Sequence, residues 1–280
     1  MGVIDFTLNL AGLLLWVSWR SLSIERLVKT VPVSLTGTIK RAGPPRSGRW
    51  YFLAGLVSLL CLRALFYWQI GPAVGWVPHL GLGAISIFFR SDLFGRMLLY
   101  SALGFAVTLV LFYLWLLLLS LVNGRAADAD PVQAIVRLHL GTVSQWPWPI
   151  KLLLPLVVVA AAWLALYPLL ARLELIKPAL SATHRLEQAV LIGLGAYLTW
   201  KYLIGVLLIL CLLATYVYFG SSPFWAFVLL TGSNLLLPLR RLPLRVGNVD
   251  MAPLVAILFV FLTAELAERG LTALYSRLPW

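Results

Sequence analysis

The chain has 280 residues, of which 61% are apolar and only 11% charged, and its mean hydropathy is +0.94. A soluble domain carries about a quarter charged residues, so this composition excludes a water-soluble globular protein and points to an integral membrane protein. The net charge of +12 could suggest a nucleic-acid binder, but the basic residues concentrate in connections between apolar runs, which is the pattern that orients a membrane protein.

A helix needs ~20 apolar residues to cross a ~30 Å hydrocarbon core at 1.5 Å per residue. Six runs approach or exceed that length, at about residues 3–19, 50–70, 96–122, 151–171, 189–218 and 252–274. The first has Asp5 where a signal peptide carries basic residues, and its end around Trp16, Trp19 and Arg20 makes a poor cleavage site, so it is expected to stay as an anchor. Residues 20–49 form a basic connection broken by Pro32, Gly37, Gly43, Pro44 and Pro45, suited to anionic headgroups. Residues 70–96, rich in Gly, Pro and Trp, suit the opposite interface, with residues 84–89 as a short strand or part of a helix. Cys61 and Cys211 lie in separate apolar runs, which supports neither a disulfide framework nor a thiolate metal site.

From residue 96 onward the chain repeats. Setting Pro131 on Pro223 places Ala134 on Ala226, Val136 on Val228 and Leu138 on Leu230. Each copy reads as a span, a short interfacial helix, a proline-rich corner and a second span. In the first copy Val132, Ile135, Val136, Leu140 and Val143 form an i, i+3, i+4 stripe, with Gln133 and Arg137 expected to point away from it. In the second, Ser221 or Ser222 is expected to cap the short helix, with Pro223 in its first turn. The expectation is an all-α integral membrane protein of about six transmembrane helices with two degenerate parallel repeats, residues 96–172 and 189–274. Each repeat contains an interfacial amphipathic helix, and both follow a two-span extension, residues 1–95.

The first, third and fifth connections carry nearly twice the Lys and Arg of the opposite side, which predicts that they are cytoplasmic and that both termini lie outside the cytoplasm. The most distinctive connection, within residues 235–258, holds Arg240, Arg241, Arg245 and Asp250 among prolines and glycine. Its arginines fit headgroup phosphates or a docked partner. Asp250 fits a cap on the last span, since its carboxylate can accept from the Ala252 amide while Pro253 has no donor to offer.

Three charged residues fall deep in apolar runs, where a charge costs ~3 kcal/mol on insertion scales. Lys201 lies midway along the fifth, Arg63 deep in the second, and Glu265 about 18 Å into the sixth by helical rise. A Lys201 to Glu265 pair joining the last two spans is the preferred expectation. An ion path is the sharper alternative, and snorkelling of Lys201 and Arg63 with Glu265 paired to Arg269 is the plain one. His79, His139 and His184 stand apart with no ligand spacing, Asp128 and Asp130 suit a solvated turn, and no GxSxG, Walker A, HExxH or GxGxxG pattern occurs. The residues thus indicate no catalytic group, no metal and no cofactor.

The corner formed by Pro238, Leu239, Arg240, Arg241 and Pro243, followed by Gly247, Asp250, Pro253 and an apolar helix, resembles the YggT family (YlmG-like) of small membrane proteins over residues 196–270. Ala252 stands where that family usually has serine, and the first copy keeps the architecture without the arginine pair, the glycine or the aspartate. The resemblance implies a bacterial inner-membrane protein that is not an enzyme, acting as a scaffold or assembly factor in cell division, envelope or membrane-complex biogenesis. A small-solute or ion transport component linked to osmotic tolerance is the alternative. Expected partners are anionic lipid headgroups and a membrane or cytoplasmic protein; nucleic acid is not favoured, and homo-oligomer formation stays open.

Overall fold

The computed structural model describes residues 2–28, 48–82, 85–124, 131–176, 181–217, 220, 222–239, 245–246 and 249–277. In chain order the elements are α1 (Gly2–Val28), α2 (Arg49–Val74), β1 (His79–Leu82), β2 (Ile85–Phe88), α3 (Phe94–Val122), α4 (Pro131–Leu140), α5 (Trp148–Arg172), α6 (Ala182–Gly195), α7 (Trp200–Tyr216), α8 (Pro223–Leu235), β3 (Arg245–Val246), β4 (Val249–Asp250) and α9 (Ala252–Arg277). Among the described residues the strands form two small ribbons, β1 with β2 and β3 with β4, and the rest of the regular structure is helical. The segment expected as strand or helix after residue 83 is the strand β2.

Among the described residues five helical stretches are long and apolar enough to cross a membrane: Gly2–Ser21, Trp50–Val74, Phe94–Val122, Trp148–Arg172 and Ala182–Tyr216. Their outer faces carry exposed Leu, Val, Phe and Ile, such as Val3, Phe6, Leu14, Leu153 and Val157. In water such surfaces would drive association, but against acyl chains they lose nothing. The described part of the chain is that of a multi-pass membrane protein. The sixth expected run is a helix, α9, but Glu265, Glu268 and Arg269 interrupt its apolar character in the second half.

The residues divide into two compact units. Met1–Leu80 with Phe88–Val110 forms the first, and Gly81–Ile87 with Leu111–Trp280 the second. In the first, α1 lies along α2, and Gly12 allows the Phe105 ring onto α1, where a Cβ would meet it at 2.9 Å. Ser101 Oγ donates to the Leu60 carbonyl at 2.9 Å, tying the start of α3 to α2.

In the second unit α5 packs on α6, and α7 packs on both α8 and α9. Small residues set the closest approaches, as membrane helices require when packing alone must hold them. A Cβ on Gly193 would sit 2.8 Å from the Leu156 carbonyl oxygen, and one on Gly232 would sit 2.5 Å from Cys211 Sγ. The fifth expected run is longer than the reading of residues 189–218. Helix starts at Ala182, where Ser181 Oγ accepts from the His184 amide, and passes through a 3-10 turn, Ala196–Thr199, into α7. The turn is gripped from two sides. Trp115 Nε1 donates to the Thr199 carbonyl and Trp200 Nε1 to the Leu114 carbonyl, while Tyr197 OH donates to the Leu152 carbonyl.

The order long helix, short helix, long helix occurs twice after residue 94, and the two short helices α4 and α8 pack against each other. The stripe expected on α4 is split between faces, with Val136 buried and Ile135 exposed, and Gln133, expected to point away, is buried beside Val136. His139 is buried too, whereas Leu138 is exposed. A stripe rule written for water puts apolar residues inward. Next to lipid an apolar side chain gains little by turning in, while an amide and an imidazole need polar partners that only the protein supplies.

Candidate functional site

The connection that stood out in the sequence lies mostly outside the described residues, including Arg240 and Arg241. The backbones of Arg245 and Asp250 are described and face each other in an antiparallel ribbon, β3 against β4. The backbone of Asp250 is therefore extended and one residue short of α9, while its side chain, and with it the expected cap, lies outside what is described. Met251 precedes α9 directly, and its carbonyl accepts the Val255 amide at 3.0 Å. For α8, Ser222 takes the cap position with Pro223 next, but its side chain makes no capping bond.

The three charges singled out in the sequence, Arg63, Lys201 and Glu265, are each paired, with partners that correct the sequence reading. Lys201 Nζ meets Glu268 Oε2 at 2.8 Å, not Glu265. Glu265 instead pairs with Arg269 one turn along its own helix, at 2.9 Å. The helices joined, α7 and α9, are those expected; the carboxylate is three residues further on, nearly one turn around the helix. Arg63 does not snorkel. Its side chain is 1% exposed, and its Nη2 bonds Asp5 Oδ1 at 2.6 Å while Nη1 bonds Asn9 Oδ1 at 2.7 Å. Tyr67 OH donates to Asp5 Oδ1 at 2.6 Å and Tyr100 OH to Oδ2 at 3.2 Å, and the guanidinium lies 5.5 Å and 5.6 Å from the two ring centroids. Gly104 leaves room for the guanidinium, since a Cβ there would lie 3.3 Å from Nη2. Three helices of the first unit thus meet on one buried ion pair, which satisfies the condition for a charge in a low-dielectric interior. Asp5 entered the sequence argument only as an unsuitable signal-peptide residue; its spacing from Arg63 gave no sign of the pair.

The second unit holds a polar cluster that the sequence reading passed over. Asn123, at the end of α3, donates from Nδ2 to Thr231 Oγ1 at 2.8 Å and accepts at Oδ1 from Asn234 Nδ2 at 3.0 Å. Its carbonyl accepts from Gln133 Nε2 at 3.4 Å, so α3, α4 and α8 share one buried network. The signal was present as single polar residues, Ser120, Thr231 and Asn234, within apolar surroundings. Beside the network lies an open cavity of about 1040 Å³ walled by α3, α4, α5 and the end of α8. Lys151 lines it, 6% exposed, with Nζ donating to Ser120 Oγ at 3.0 Å and to the Ser144 carbonyl at 2.6 Å. Arg137, Gln133 and Asn234 line the same space. Chemically this is a cationic, donor-rich hollow whose lining residues include the hydroxyls of Ser120 and Ser144 but no carboxylate. His139, turned inward on α4, bonds the Ile135 carbonyl at 3.0 Å and meets the edge of Phe112.

No family model matches this chain, and neither a curated relative nor a solved structure resembles it significantly.

Proposed function

We propose that this chain is a non-enzymatic scaffold or assembly factor of the YggT type in a bacterial inner membrane, with α9 as a sixth span and both termini outside the cytoplasm. In this reading residues 96–172 and 189–274 are two degenerate parallel repeats, and the face bearing Arg240, Arg241, Arg245 and the Lys151 cavity is the cytoplasmic interface. The observation that carries it is the fate of the intramembrane cations. Arg63 and Lys201 are each bound to a carboxylate of another helix, Asp5 and Glu268, so their charge ties helices together. Each cation thus has a structural reason to lie where it does that calls for no transported ion.

The basic corner supports a partner-facing role, since long cationic side chains beside a bilayer attract both phosphate and acidic protein surfaces. Proteoliposomes holding the purified full-length chain should show no flux of small solutes or ions beyond protein-free vesicles, and Lys201→Met should not change that. Crosslinking in the native membrane should recover a discrete protein partner. Solute flux that disappears in Lys201→Met would establish transport and overturn the scaffold reading.

A further inference from the structure

Lys151 raises a problem of charge. A buried lysine is ordinarily paired, because removing an ammonium from water is costly unless a counter-charge replaces the lost hydration. Here the two oxygens that hold Nζ, from Ser120 and Ser144, are both neutral, and among the described residues no carboxylate pairs with it. An ammonium has three donors, so one remains for another acceptor. Arg137 shares the cavity and adds a second positive charge, while Gln133 and Asn234 place side-chain amides on its wall. An anion in this hollow supplies the counter-charge that Lys151 lacks among the described residues.

The rim narrows the anion. Trp146, Trp148 and Leu237 line the cavity and are themselves exposed. Tryptophan at a helix end is characteristic of headgroup depth, and an apolar rim serves no purpose for a small ion arriving from water. The volume, about 1040 Å³, is several times what one phosphate needs and suits a headgroup with the start of its acyl chains. We infer that this cavity binds the phosphate of an anionic phospholipid, with Lys151 and Arg137 as its cationic ligands and the two tryptophans against the glycerol and upper acyl region. The inference rests on the proposed scaffold reading only in placing this face at the membrane–water interface.

The test is native mass spectrometry of the full-length protein in an uncharged detergent, titrated with dioleoyl phosphatidylglycerol or dioleoyl phosphatidylcholine. The first bound lipid should favour phosphatidylglycerol by about tenfold or more, because both lipids carry the phosphate but the quaternary ammonium of phosphatidylcholine cancels its charge and is repelled by the two cations. Lys151→Gln and Arg137→Gln should each remove most of that preference. Lys151 also braces two segments, so if its variant fails to fold, Arg137→Gln decides alone. Equal binding of the two lipids overturns the inference, as it would if a carboxylate of the chain itself filled the site. A preference kept in the folded variants overturns it too, and so does full displacement of phosphatidylglycerol by millimolar inorganic phosphate, which would make the ligand a free anion. Loss of partner capture with the lipid preference intact would count against the scaffold reading alone.

Discussion

At the residue scale the protein is organised around charges that hydrocarbon does not tolerate alone. Asp5 receives one bond from Arg63 and one from each of two tyrosine hydroxyls, so replacing it removes the counter-ion of a guanidinium that cannot reach water. Asp5→Asn is expected to destabilise the chain by ~3–5 kcal/mol, the range for breaking a buried pair, whereas Asp5→Leu combined with Arg63→Met should cost less than the two single changes added together. Unfolding of the purified protein in a denaturing detergent series measures both. Lys201 and Glu268 form a more exposed pair, so Glu268→Gln should cost only about 1 kcal/mol. Glu265→Gln, which loses an exposed contact within one helix, should stay below ~0.5 kcal/mol. A larger effect at Glu265 than at Glu268 in the same assay would reverse the assignment of the pair.

At the element scale, helix contacts depend on positions where a side chain is missing. Gly193 lies against backbone of α5, and a carbonyl oxygen cannot rotate away as a side chain can. Gly193→Val is therefore expected to part α5 from α6 at a cost of ~1–3 kcal/mol, seen as a lower melting temperature, while Gly270→Ala, with open space around it, should leave that temperature unchanged or slightly raised. The split stripe of α4 has a different origin. Gln133 joins the Asn123 network at the expense of a conventional stripe, and Ile135 is left outside. Asn123→Leu should unlink α3 from α8 and lower stability by about 2 kcal/mol, since it removes two side-chain bonds and leaves Thr231 and Asn234 without that partner.

At the scale of the whole molecule, the open matter is how many times the chain crosses. Five helical stretches have the length and apolarity to do so among the described residues, and α9 is long enough but carries four charges in its second half, Glu265, Glu268, Arg269 and Arg277. With α9 spanning, an even number of crossings returns the C-terminus to the side of the N-terminus. A reporter active only outside the cytoplasm, fused after Trp280, is expected to be active, as is the same reporter fused before Met1 behind an export-competent leader. An inactive C-terminal fusion would leave five crossings and place the C-terminus in the cytoplasm.

The sequence by itself determined the class of this protein. Length and continuity of apolar runs are local properties, and they located α2, α3, α5 and the helical part of α7 and α9 with ends displaced by a few residues. It also singled out Arg63 and Lys201, because a charge inside such a run is unusual without any knowledge of its neighbours. What it could not choose was the neighbour. Asp5 lies 58 residues from Arg63, and Glu268 lies 67 residues from Lys201 and less than one helical turn from the rival Glu265. Those pairings are set by distances across helix interfaces, as is the inward turn of Gln133 and the cavity beside Lys151. Only the tertiary structure decided them, because in a bilayer each polar group is directed by where its partner lies and not by the periodicity of its own helix.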